Sequence, residues 1–191
     1  MQKLVILFSL CLFTFSIKGQ ERIEKAKNYI QVKHYKSACR VLTKYIKTEK
    51  DTQMIANAYY WLGETYYWQY IDKKPAVASQ KAFEQYSKGL NTSKNNPLCL
   101  VGMGKLLLNQ KNEKEALKTF DTAIRSSKSK NYKEGDPYTY MYIGDTYLNC
   151  LHPNLEQAMA YFSRARDIEP KSKLFWEKMN NPKFKKLAPH E

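Results

Sequence analysis

The feature that most constrains the fold is one spacing of small and large residues that recurs at the period of an α-helix. In its first half, a glycine has large residues four positions before it, one position before it and three positions after it. In its second half, an alanine is followed by an aromatic residue four positions later and by a small residue three positions after that. Each half places its residues on one helix face. The glycines are Gly63, Gly104 and Gly144, and the later triplets are Ala82, Tyr86, Gly89; Ala116, Phe120, Ala123; and Ala158, Phe162, Ala165.

A weaker copy precedes these three, with Ala26 in its first half and Ala38 and Leu42 in its second. Glycine within a helix costs about 1 kcal/mol relative to alanine, so its recurrence at one phase indicates a packing requirement. Small side chains let two helix axes approach closely while larger neighbours fill the space around the contact. The spacing therefore predicts paired antiparallel helices, with Gly104 opposite Ala116 in its pair.

Two of the predicted pairs also begin alike, 40 residues apart, at Asn96-Pro97 and Asp136-Pro137. Asn and Asp are good N-cap residues, and Pro suits the first helical position because its missing N–H has no partner there. These openings predict helices that begin at the two prolines. About nine helices are expected in the chain after its first 19 residues.

The combined motif, Tyr/Leu-x2-Leu/Ile/Met-Gly-x2-Tyr/Leu and then Ala-x3-Phe/Tyr-x2-Ala/Gly, resembles the tetratricopeptide repeat (TPR) family over roughly residues 21–170. The resemblance implies an all-α fold, a right-handed α-α superhelix in the form of a solenoid of about four helical hairpins. Their expected ranges are about 21–50, 55–94, 97–130 and 137–170. The second copy has a turn longer by about seven residues, which resembles the Sel1-type repeat.

The segment 171–191 is interpreted as a C-terminal capping helix that covers the last apolar face of the array. The apolar residues expected to do this are Phe175, Trp176, Phe184 and Leu187. The alternative is an array of greater length that is cut short here.

The first residues differ from the rest of the chain, with an apolar run of 14 residues, Leu4–Ile17, after a positive start. A bilayer-spanning helix needs roughly 20 apolar residues. The pattern predicts a signal peptide at 1–19, cleaved after Gly19, and a repeat domain at 20–191 that is exported to the periplasm or secreted. The "GQE" junction resembles signal peptides of Bacteroidetes-type bacteria. The alternatives are a buried core helix or a membrane anchor.

The chain is strongly basic, with a net charge of +14 that falls to +12 once the leader with Lys3 and Lys18 is removed. Such a charge attracts nucleic acid, anionic lipid or acidic protein. Because an exported protein rarely meets nucleic acid, a protein partner or an anionic membrane surface is favoured. The alternative is a solvated basic surface without a ligand.

The sequence offers little for catalysis or metal binding. The pair Cys150-x-His152 is too sparse for a zinc site, which usually has four ligands. Phosphate-binding loops, nucleophile elbows and His-Glu-x-x-His pairs are absent from the sequence. Once the leader with Cys11 is removed, three cysteines remain, Cys39, Cys99 and Cys150, and this odd number argues against a disulfide framework and favours small buried side chains. We expect no cofactor, no metal and no enzymatic activity.

The TPR resemblance instead implies a partner-binding groove lined by inward positions of each first helix. Carried over residue by residue, the groove residues are Asn57, Tyr60, Glu64 and Trp68 around Gly63; Lys105 and Asn109 around Gly104; and Tyr138, Asp145 and Asn149 around Gly144. Tyr67, Leu108 and Leu148 share these phases and are interpreted as core between repeats. The leading hypothesis is a non-enzymatic exported scaffold that binds a protein or peptide in this groove. The alternative is a basic adaptor for anionic envelope surfaces or acidic polymers.

Overall fold

The computed structural model of the 191-residue chain describes residues 19–73, 76–172 and 175–176. All regular structure in these ranges is helical. Residues 19–31 form α1, and the seven helices that follow are α2 (Tyr35–Thr48), α3 (Thr52–Lys73), α4 (Ala76–Thr92), α5 (Pro97–Asn109), α6 (Glu113–Ser126), α7 (Pro137–Asn149) and α8 (Leu155–Ile168). None of these helices combines the length and the apolar character that crossing a membrane requires.

The helices pack as consecutive hairpins, which confirms the predicted all-α architecture of paired helices. The chain divides between Lys94 and Asn95 into two compact units, each of which contains two hairpins. In the first unit, residues of α1, α2 and α3 share one buried cluster that includes Ala26, Leu42 and Leu62. In the second unit, one buried cluster joins all four helices, α5 to α8.

First and second helices of a hairpin differ in how much surface they bury. In α7, nine of the 13 residues are buried, whereas α8 buries three of 14, namely Ala158, Phe162 and Ala165. The reason is that α7 packs on its partner α8 and also on α5, so more than one of its faces is covered. A second helix needs only one apolar stripe, as the four-three spacing predicts.

The glycine positions are explained by aromatic rings rather than by alanines. A Cβ built on Gly104 would lie 2.2 Å from Cε1 of Phe120, and one on Gly63 would lie 2.3 Å from Cε1 of Tyr86. The atoms nearest to that position on Gly104 all belong to Phe120, so the ring is a closer neighbour than the predicted Ala116. The residue one helical turn beyond the alanine lays its ring against the glycine, where any side chain would collide with it. Ala116 is fully buried in the same cluster.

The second hairpin departs from the predicted turn length. The expected long turn is absent, because α3 is 22 residues long and extends to Lys73. No proline or glycine interrupts the chain between Gly63 and Lys73, so the helix continues for roughly three turns beyond Gly63. Its end is fixed by Asp72, which accepts hydrogen bonds from the hydroxyl of Tyr35 and, at 3.0 Å, from Nζ of Lys33. The Sel1-type comparison rested on this turn, of which residues 74–75 lie outside the described ranges.

The predicted helix starts at the two prolines are confirmed. Oδ1 of Asn96 accepts a hydrogen bond from the backbone N–H of Cys99 at 3.0 Å, and Pro97 follows the cap. Oδ1 of Asp136 accepts one from the N–H of Tyr138 at 3.4 Å, with Pro137 at the first helical position. Each cap satisfies a helix N–H group that has no partner within the helix.

Two hairpin turns share one backbone motif that places a lysine in the left-handed region. Lys33 and Lys111 both have φ near +61°. The next residue in each turn donates its N–H to the carbonyl five positions earlier, His34 to Tyr29 at 2.8 Å and Asn112 to Leu107 at 2.9 Å. This is the Schellman ending of a helix, in which glycine is the usual left-handed residue.

The predicted cap is described only in part. Phe175 is buried in the core cluster of the second unit. Trp176 is instead 54% exposed, with its ring edge-on to Phe175 and its Nε1–H donating to the carbonyl of Pro170 at 3.3 Å. Phe184 and Leu187 lie outside the described residues, as does the apolar run of the predicted leader.

Candidate partner-binding surface

In the second unit, the predicted groove positions lie on two helices that pack side by side, α5 and α7. The apolar residues at these phases belong to the core that joins the two helices, namely Val101, Leu108, Met141 and Leu148. The interpretation of Leu108 and Leu148 as core is thus confirmed. The polar positions among them differ in exposure. Tyr138 is 44% exposed, Asn109, Asp145 and Asn149 are half-buried, and Lys105 is buried.

Asn109 and Asn149 show how such side chains are held within the protein. Oδ1 of Asn109 accepts a hydrogen bond at 2.8 Å from the N–H of Leu151, in the turn between α7 and α8. Nδ2 of Asn149 donates at 2.9 Å to the carbonyl of Asp145, one turn earlier in the same helix. Asn109 therefore connects the end of α5 to the neighbouring hairpin, a role that its phase alone did not predict.

In the first unit, the predicted groove residues lie along α3. Asn57 and Trp68 are half-buried, whereas Tyr60 and Glu64 are 2% and 4% exposed. Tyr67 is fully buried, as the core interpretation predicts, and Trp68 packs edge-on against its ring at a centroid distance of 5.8 Å. The exposed share of this face is therefore smaller than the sequence indicates.

Glu64 has a role inside its hairpin. The hydroxyl of Tyr86, which is fully buried on α4, donates to Oε1 of Glu64 at 2.8 Å. Burial, together with the neighbouring carboxylate, holds the pKa of Tyr86 well above its usual range, so its hydroxyl stays a proton donor. The other two glycine-bearing hairpins have Phe120 and Phe162 at this position, which need no acceptor. The pairing of tyrosine with glutamate is thus specific to the second hairpin.

The described residues offer no group of three or more His, Cys, Asp or Glu that is placed to hold a metal ion. The three cysteines of these ranges do not form disulfides. Burial raises the pKa of Cys39 and of Cys150, which disfavours the thiolate that a cysteine nucleophile requires.

The sequence comparisons with known proteins identify no relative: no family model and no curated protein matches the chain. Among solved structures, the chain is similar to a thermophilic TPR protein from Thermus thermophilus. The match has 12% sequence identity and a TM-score of 0.47, and it covers 84% of this chain and 96% of that one. The protein consists of four helical hairpins, three of which share a contact between a glycine and an aromatic ring, and this is the architecture of a helical repeat protein.

Proposed function

We propose that the protein is an exported, non-catalytic scaffold that binds a protein partner through the first helices of its hairpins. The observation that carries the proposal is the surface of α5 and α7 in the second unit. There, core residues fix two helices side by side, and Tyr138, Asp145 and Asn149 of α7 remain partly accessible.

The residue types on this surface suit the binding of a polypeptide. A tyrosine ring offers a large contact area with few rotatable bonds, and an amide or carboxylate can hydrogen-bond the backbone of a bound segment. Because the core beneath is tightly packed, the surface is held in one geometry before a partner arrives, which lowers the entropic cost of binding.

The test compares two variants, each of which replaces two side chains with alanine. Tyr138→Ala with Asn149→Ala removes side chains from the α7 surface, and Leu117→Ala with Lys114→Ala removes side chains from the exposed face of α6. We expect partner recovery from the cell envelope, quantified by mass spectrometry, to fall at least about tenfold for the first pair only, because a central aromatic contact contributes about 1–2 kcal/mol or more. Equal recovery with both variants would contradict the proposal, provided that both melt like the wild type.

Export is supported by the apolar run Leu4–Ile17 in the sequence. A charge in this run, such as Leu7→Arg, is expected to keep the protein in the cytoplasm with its leader attached, because a charged residue opposes insertion into the membrane. Cell fractionation and mass spectrometry of the N-terminus measure both outcomes. Recovery of the charged variant outside the inner membrane would contradict the dependence of export on this run, and an exported wild-type chain that begins at a residue other than Gln20 would show that the predicted cleavage site is wrong.

A further inference from the structure

The second helix of the first hairpin, α2, has a face whose composition the scaffold proposal does not explain. Six of its side chains are exposed, of which four are Lys or Arg and two are Thr. They are Lys36, Arg40, Thr43, Lys44, Lys47 and Thr48. The helix contains no acidic residue.

The buried side of α2 explains why these cations form a row. Tyr35, Ala38, Leu42 and Tyr45 are buried on one face, so the cations lie on the opposite face at intervals of four, four and three residues. At a rise of 1.5 Å per residue, adjacent cations are separated by about 5–6 Å along the axis, and the row is about 16 Å long. We call these four residues the α2 cation row.

The members of the row have no ion-pair partner among the described residues. Neighbouring basic residues behave differently. Lys33 pairs with Asp72 at 3.0 Å, and Lys27 pairs with Glu24 and also lies over the ring of Trp61. Four uncompensated cations on one face repel one another, and an anionic ligand would remove that repulsion.

The shape of the charged surface favours a linear ligand over a plane. The adjacent α1 exposes acidic and basic residues together, Glu21, Arg22, Glu24 and Lys25, so the uniform positive charge of α2 does not continue across α1. A shallow depression lined by Arg40, Thr43, Lys44 and Lys47, with Cys39, follows the same strip. The exposed side chains of α2 also include no large apolar residue that could insert into a bilayer.

We infer that the α2 cation row is a docking surface for an acidic protein segment, whose carboxylates recur along one side at the spacing of the cations. An acidic helix meets this condition with Glu or Asp every three or four residues, because it has the same rise as α2. The surface lies on a second helix, so this inference does not depend on the proposed role of the first helices.

The probe is a fluorescein-labelled peptide of Glu, Ala and Gln, with Glu at positions i, i+4, i+8 and i+11. Binding to the purified protein is measured by anisotropy at 50 mM and 300 mM salt. The test variant replaces Lys36, Arg40, Lys44 and Lys47 with Gln. The control variant replaces Lys114, Lys128, Lys130 and Lys133 with Gln, which changes the net charge equally at exposed sites of the second unit.

We expect the test variant to bind the peptide at least about tenfold more weakly at low salt, since the small contributions of four exposed charge pairs are lost together. The control variant should stay within about twofold of the wild type. Binding by the wild type should weaken at high salt, because exposed charges are screened. Two partial variants should each lose an intermediate amount of peptide affinity: Lys36→Gln with Arg40→Gln, and Lys44→Gln with Lys47→Gln. If the variant with all four substitutions does not fold, these two variants test the inference instead.

Three results would overturn the inference. Equal losses in the test and control variants would assign binding to net charge rather than to α2. Absence of peptide binding by the wild type at 50 mM salt would rule out an acidic helical segment as the ligand. Binding to vesicles of phosphatidylglycerol and phosphatidylcholine that depends on the α2 cation row, with weaker binding of the peptide, would assign the surface to an anionic membrane instead.

Discussion

The contact between Gly104 and Phe120 gives a prediction whose size can be worked out from distances. A methyl group at residue 104 would lie 2.2 Å from Cε1 of Phe120, whereas carbon atoms in contact are normally about 3.5–4.0 Å apart. The ring would have to retreat by more than about 1 Å. It is fully buried and packs against the rings of Tyr147 and Tyr161, at centroid distances of 5.7 and 6.4 Å, so little space is open to it.

Overpacking of this kind costs about 1–3 kcal/mol, and replacing a helical glycine with alanine returns about 1 kcal/mol. Gly104→Ala should therefore destabilise the protein by about 1 kcal/mol. In the first hairpin, Ala26 takes the place of the glycine and Leu42 takes the place of the ring, and both are fully buried in one cluster. An alanine is thus paired there with a smaller partner side chain. Phe120→Leu alone should cost about 1 kcal/mol, since it leaves unfilled space. In the double variant, the new methyl group fills that space.

A double-mutant cycle measured by urea unfolding tests this packing. We expect a coupling free energy of about 1–2 kcal/mol in favour of the double variant. Gly144→Ala is a matched comparison, because its Cβ would lie 2.9 Å from the ring of Phe162, and it should be closer to neutral. The reasoning fails if Gly104→Ala is as stable as the wild type and the two changes are additive.

Three further predictions concern local features. Lys111→Gly should stabilise the protein by about 0.5–1 kcal/mol in a thermal or urea melt, because glycine adopts the left-handed backbone at a φ of 61° without strain. The gain is reduced because glycine also raises the conformational entropy of the unfolded chain. Burial raises the pKa of Asp136, so ionising it opposes folding as the pH rises through that value. Asp136→Asn should therefore be neutral or stabilising at pH 7, whereas Asp136→Ala should cost about 1 kcal/mol. The Tyr35 hydroxyl and Lys33 lower the pKa of Asp72, so its stabilising contribution is present above about pH 4 and is lost as the pH falls through the lowered value. Asp72→Asn should reduce stability at pH 7 and flatten its decline toward pH 3 in urea melts at both pH values.

The helix pairs could be predicted because their determinants are local. The helical spacing around Gly63, Gly104 and Gly144 and the two Asn/Asp-Pro openings each act within one or two turns of chain. The identity of the residue facing each glycine could not be predicted in the same way. It depends on how far one antiparallel helix slides along the other, and the spacing fits Ala116 and Phe120 equally well.

The contacts of the candidate site residues could be predicted from the sequence only in part. Phase identified which residues share a helix face, but it could not show that Glu64 turns toward the hydroxyl of Tyr86 or that Asn109 holds the turn at Leu151. The first contact joins residues 22 positions apart and the second joins residues 42 positions apart, so both follow from packing rather than from local pattern. The α2 cation row was visible in the sequence only as part of a high net charge.

The central claim, that a protein partner binds the first helices, is tested most directly by site-specific photo-crosslinking in the native cells. A photoreactive amino acid is placed at Tyr138 or Asn149 on α7 and, for comparison, at Leu117 on α6. Tyr138 and Leu117 are 44% and 38% exposed, so both can react with a neighbour. We predict that positions 138 and 149 yield the same covalent partner and that position 117 does not. The same partner captured equally at position 117, or only there, would contradict the claim.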